Sequence, residues 1–132
     1  MQNSKKGAIV NVASVVGLKG VAYMSAYGAA KAGLINFTKA TAIEAAPHVR
    51  VNCVIPGAGL TPATERAIPN EDLMKETINK SPRKRNAEPS RDANAITIML
   101  SHDKDSITGD MSLVAGGKTG DVEGGNRREA RE

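Results

Sequence analysis

The stretch SVVGLKGVAYMSAYGAAK, residues 14–31, decides how the rest of the chain is read. It begins where a β-branched apolar run, Ala8-Ile9-Val10-Asn11-Val12-Ala13, comes to an end. It crosses a loop punctuated by Gly17 and Gly20, then enters a long alanine-rich segment with helical spacing. Tyr27 and Lys31 are four residues apart, so on a helix they share one face and can approach one ligand. Ser14 lies at the mouth of the preceding strand, where the loop can fold it back toward that face. A hydroxyl, a phenol and an ammonium converging on one point are able to move a proton onto or off an oxygen. Each also has a plain structural reading: Ser14 as a loop cap, Tyr27 as a half-buried helix aromatic, Lys31 as solvated surface.

Outward from that stretch, the chain alternates elements. Residues 8–13 read as a strand buried on both faces, the kind found in parallel sheets. Residues 25–46 read as a helix with Tyr27, Ala30, Leu34, Phe37 and Thr41 along a stripe, Ser25 as N-cap and Pro47 as terminator. VRVNCVI, residues 49–55, reads as a second strand closed by Pro56-Gly57. Strand, long helix and strand with short connections make a βαβ unit, hence a parallel pair. Ligands of such sheets bind beyond the carboxyl ends of the strands, where Ser14 and Pro56-Gly57 both fall.

Residues 58–88 are polar, with a weak helical patch near Glu71–Asn79, and read as a flap over that edge. Pro89 opens another helix, with Ala93, Ile96, Thr97 and Leu100 along one face. MSLVA, residues 111–115, is a short third strand ended by Gly116-Gly117. Residues 118–132 are charged, lack an apolar face and are expected to be disordered, leaving 1–117 as the folded part.

Composition sets bounds on function. The 132 residues suit one domain with a modest core, and with Tyr23, Tyr27 and Phe37 as the only aromatics that core is aliphatic. The net charge of +4 is mild. The basic cluster Lys80–Arg85 reads as solvated flap, so nucleic acid is not expected as a partner. Cys53 is the only cysteine, which rules out an internal disulfide and a multi-cysteine zinc site and suits a reducing compartment. It reads as a small core residue, and no metal is expected. No leader-like segment is present and no apolar run approaches the ~20 residues of a membrane helix. The chain thus reads as soluble and cytoplasmic, without a membrane partner.

Asn11-Val-Ala-Ser14 followed thirteen residues later by Tyr27-Gly-Ala-Ala-Lys31 resembles the active-site stretch of the short-chain dehydrogenase/reductase family. Val51-Asn52-Cys-Val-Ile-Pro56-Gly57 is similar to its strand-end motif beside the nicotinamide. The spacing of Pro82, Arg85, Pro89 and Ala93, and Ile107-Thr108-Gly109 with Gly116-Gly117, are similar to its later motifs. The resemblance covers residues 7–117 and implies an α/β fold of Rossmann type, a parallel sheet reduced to its last three strands with the helices between them. It implies NAD- or NADP-dependent oxidation or reduction of a small-molecule alcohol or carbonyl substrate.

By that likeness, Tyr27 is the proton donor or acceptor at the substrate oxygen. A free phenol ionises near pH 10, and a nearby ammonium favours its anion. Lys31 supplies that charge and binds the nicotinamide ribose with Tyr27. Ser14 hydrogen-bonds the substrate oxygen, Val15 lines the substrate together with Val16 and the Tyr23–Met24 loop, and Pro56, Gly57, Gly59 and Thr61 contact the cofactor. The likeness also has a gap. Thirteen residues precede Ser14, and neither the family's glycine-rich phosphate turn nor its Asn-Asn-Ala-Gly segment is among them. The match is therefore to the C-terminal half only, and the 132 residues alone are expected to bind NAD(P) weakly and turn over little. Asp92, at a position commonly apolar, Gly59 and Ala115 are smaller departures. An alternative reading is a non-catalytic module derived from the same family, which pairs with another copy through helix 25–46.

Overall fold

A computed structural model describes residues 6–57, 70–72, 75, 79, 83 and 88–116. Gly59, Thr61, Pro82, Arg85, Gly117 and the tail at 118–132 lie outside the described residues, as does most of the expected flap. Within 70–79, Glu71, Asp72, Lys75 and Asn79 are helical.

The described sheet has three parallel strands, β1 (Gly7–Val12), β2 (Val49–Pro56) and β3 (Met111–Val114), in the order β1-β2-β3. Its α/β architecture is the one expected. Ile9 stands opposite Val51 and Val12 opposite Val54, while Ile55 stands opposite Leu113. β2 is central and buried along nearly its whole length, because both faces and both edges are covered. β1 is an edge among the described residues, and its Ile9 and Val12 stay 37% and 40% exposed.

Helix α1 (Ser25–Ala45) joins β1 to β2, and α2 (Pro89–Leu100) precedes β3. Ala46 leaves the helix with ψ 148°, the extended backbone that Pro47 demands of its predecessor. Two details differ from expectation at α1. Met24 rather than Ser25 is the N-terminal boundary, and no side chain caps it. Tyr23, at φ 66°, turns the chain one residue earlier than the serine signal suggests. The buried stripe is Ile35, Thr38 and Ala42, leaving Phe37 56% exposed. α1 is apolar nearly all round, so spacing alone does not choose which stripe meets the sheet. In α2, likewise, Asp92, Ala95, Ile96 and Met99 turn inward, while Ala93, Thr97 and Leu100 face out.

Polar clamps hold the layers in register. The Asn11 amide donates to Thr38 Oγ1 at 2.9 Å, and Thr38 donates to the Leu34 carbonyl at 2.8 Å. The fully buried Asn52 donates to the Ile107 carbonyl at 2.9 Å and accepts from the Asp110 N–H at 3.0 Å, pinning the approach to β3. Buried amides satisfied in this way set register without the cost of an orphaned polar group. Arg50 donates to the carbonyls of Met99 and Ser101, both at 3.0 Å, and so closes the end of α2.

Candidate active site

Residues 13–17 carry the chain from β1 onto α1. Ser14 is extended (φ −160°, ψ 154°), and its Oγ accepts the Val16 N–H at 3.3 Å, capping a single 3-10 turn at Val15–Gly17. The capping role is therefore real, and it leaves the hydroxyl proton free to be donated. Val15 belongs to the core with Ala13, Ile35, Cys53, Ile55 and Ala115 and is 7% exposed. The 3-10 turn that Ser14 caps sets the Val15 side chain among these core residues. Val16, half-buried, packs against that core as well.

The turn sits on the backbone of α1. A Cβ at Gly17 would lie 2.8 Å from Ala32 N and Lys31 C, and one at Gly28 would lie 3.2 Å from the Val16 carbonyl oxygen. Two glycines, one on each side of the contact, thus bring the Ser14 turn down onto the helix turn that carries Lys31. Sequence reading took Gly17 only as loop punctuation. Its steric role has no local signal, since the obstacle is backbone fifteen residues away.

Tyr27 and Lys31 do share a face. The Lys31 ammonium lies 5.7 Å from the Tyr27 ring centroid and donates to the Val12 carbonyl oxygen at 2.9 Å. Tyr27 is 45% exposed and Lys31 is half-buried. Val12 is the last residue of β1, two before Ser14, so the ammonium is anchored at the rim where the serine stands. Nothing in the sequence marked that carbonyl as a partner.

Pro56 ends β2 on the same rim, opposite Val114 of β3. Gly57 donates its N–H to the Val114 carbonyl at 3.1 Å, and a Cβ there would meet Ala115 Cα at 2.9 Å. Its glycine is needed for the packing of two strand ends, whatever else approaches it. Cys53 is fully buried, and burial pushes its thiol up, as a core residue requires. Among the described residues no cluster of three metal-ligating side chains occurs, and no helix is long and apolar enough to cross a membrane.

The rim suits the nicotinamide–ribose end of a dinucleotide: one Lys31 donor is spent on Val12, leaving two for hydroxyls beside the Tyr27 phenol. The diphosphate end finds no counterpart, because among the described residues no glycine-rich turn joins a strand directly to a helix N-terminus.

Residues 1–119 match the family described as enoyl-(acyl carrier protein) reductase. Tropinone reductase-like 3 of Erythroxylum coca is 38% identical over 113 residues, 86% of this chain and 44% of that protein. The 3-oxoacyl-(acyl-carrier-protein) reductase of Vibrio harveyi is 40% identical over 118 residues, 89% of this chain and 48% of that one. Among solved structures, the actinorhodin polyketide ketoreductase with NADPH superposes with a TM-score of 0.82 at 29% identity, over 89% of this chain and 49% of the other. A short-chain dehydrogenase/reductase from Brucella melitensis gives 0.79 at 35% identity, over 84% and 44%. The chain spans about half the length of the relatives it matches. The expectation that it answers to their C-terminal half in particular draws no support from these shares.

Proposed function

From the premise that the chain belongs to the short-chain dehydrogenase/reductase family, we propose that it carries the proton-transfer site of an NAD(P)-dependent alcohol/carbonyl oxidoreductase. The observation that carries this reading is the Lys31 ammonium, held between the Val12 carbonyl and the Tyr27 ring at the sheet rim beside Ser14. In the direction of carbonyl reduction, a nicotinamide held beside Tyr27 and Lys31 would supply the hydride for the carbonyl carbon. Tyr27 gives its phenolic proton to the carbonyl oxygen, and the Lys31 charge stabilises the phenolate left behind. Ser14, oriented by the Val16 N–H, keeps its proton and donates a hydrogen bond to the same oxygen, which fixes its place. Lys31 and Tyr27 hold the ribose, and Pro56 and Gly57 border the nicotinamide. Gly59 and Thr61 are proposed to complete that border. The substrate is a small alcohol or ketone, which suits the names of the relatives. The single buried thiol suits a reducing, cytoplasmic setting.

The 132 residues alone are proposed to be weak or inactive, since among the described residues no glycine-rich turn cradles the cofactor's phosphates and no strand pairs with the outer edge of β1. Titrating the 15N-labelled chain with NAD(P)H tests site and affinity together. The expected result is shifts confined to residues 12–17, 27–31 and 56–57, without saturation in the micromolar range. Saturation at micromolar NAD(P)H, or shifts centred elsewhere, would contradict it.

A second reading, an interaction module pairing through α1, has its own observation. The outward face of that helix shows Phe37 at 56% and Ile43 at 80% exposure around the small residues Gly33 and Ala40. If copies pair there, Ala40→Arg is expected to convert a dimer to a monomer in light scattering. An unchanged mass counts against pairing.

A further inference from the structure

Asp92 is out of place on α2. It belongs to the inward stripe with Ala95, Ile96 and Met99, and one of its carboxylate oxygens, Oδ1, is buried with no hydrogen-bond partner. A carboxyl in a helix's first turn ordinarily stays at the surface and serves the backbone N–H groups. Here one oxygen is shut in against the layer below. Leu100, at the other end of α2, lines a cleft with Lys6, Gly7, Ala8 and Arg50, at the starting ends of β1 and β2. The first turn of α2 therefore lies toward the finishing ends of the strands, the rim of Ser14 and Pro56.

No cation answers this carboxyl among the described residues. The elements packed against α2 are the three strands and the 3-10 turn His102–Lys104. The strands contain one charged residue, Arg50, whose guanidinium is spent on Met99 and Ser101 at the far end. His102, Asp103 and Lys104 follow that same far end. On α2 itself, Arg91 pairs with Glu88 at 3.4 Å.

We propose that Asp92 is a proton-operated latch: neutral, it lets the first turn of α2 lie on the sheet, and ionised, it lifts that turn from the rim. Burial raises the Asp92 carboxyl above its ordinary range, so folding favours its protonation relative to the unfolded chain. The sign follows from linkage. A carboxyl raised in the folded state stabilises below its unfolded value, and that contribution is lost as pH rises through the folded value. The latch therefore closes in acid and opens toward neutrality, opposite to the usual behaviour of a paired carboxylate. It does not depend on the oxidoreductase reading, because it concerns docking of a helix whether or not a cofactor binds.

Hydrogen exchange on the 132-residue chain, expressed as protection factors between pH 4 and 7.5, tests it. Protection at residues 92–96 is expected to fall by at least about threefold as pH rises, while residues 51–55 of β2 hold steady. In Asp92→Asn the fall disappears and protection stays high. Flat wild-type protection at 92–96, or the same fall in Asp92→Asn, would overturn the proposal. If the variant does not fold, the wild-type profile still decides.

Discussion

Gly17→Ala is expected to lower turnover by about 100-fold in the chain joined to the half of the Vibrio harveyi reductase that it does not match, while Gly20→Ala leaves it unchanged. The added methyl would meet Ala32 N and Lys31 C at 2.8 Å and Lys31 O at 3.0 Å. All three are backbone atoms inside a 21-residue helix, so it is the Val15–Gly17 turn that must retreat. Ser14 moves with it, while Lys31 stays tied to Val12. A misplacement of this order costs rate far more than it costs folding, because the reacting groups lose alignment. Overpacking is expected to cost about 1–3 kcal/mol of stability, read from urea unfolding. At Gly20 nothing lies within 4 Å of an added Cβ, which makes it the control in the same loop. Equal turnover in both variants would show that Ser14 need not be held against the helix.

Tyr27→Phe is expected to reduce turnover in the same joined protein by about 1,000-fold, with the thermal midpoint nearly unchanged. The phenol is 45% exposed, so deleting its oxygen opens no cavity. What disappears is the proton delivered to the substrate oxygen. Cofactor affinity is expected to fall less than turnover, since Lys31 keeps its own donors. Steady-state kinetics alongside circular dichroism separates the two effects. A variant with full activity would assign Tyr27 to packing alone.

How much of this was legible in the sequence varies with the kind of interaction. The strand-helix-strand order was, because Ala8–Ala13 and Val49–Ile55 are β-branched runs and Pro47 stops the helix between them. The Tyr27–Lys31 face was, because a four-residue step on a helix leaves little freedom. The inward stripe of α1 was not. Its outer face is nearly as apolar as its inner one, so Phe37 was as good a candidate for burial as Ile35. On α2, Met99 outweighs the stripe that Ala93, Thr97 and Leu100 suggest, and Asp92 goes inward with it. The roles of Gly17 and Gly57 depend on backbone from elsewhere, Lys31–Ala32 and Ala115, which local spacing does not carry.

The most direct measurement follows NAD(P)H consumption with a small ketone, using this chain joined to the half of the Vibrio harveyi reductase that it does not match. The expected result is turnover in the joined protein and none in either half alone. A joined protein that folds and binds NAD(P)H, yet reduces no carbonyl compound while Ser14, Tyr27 and Lys31 are intact, would contradict the proposed site.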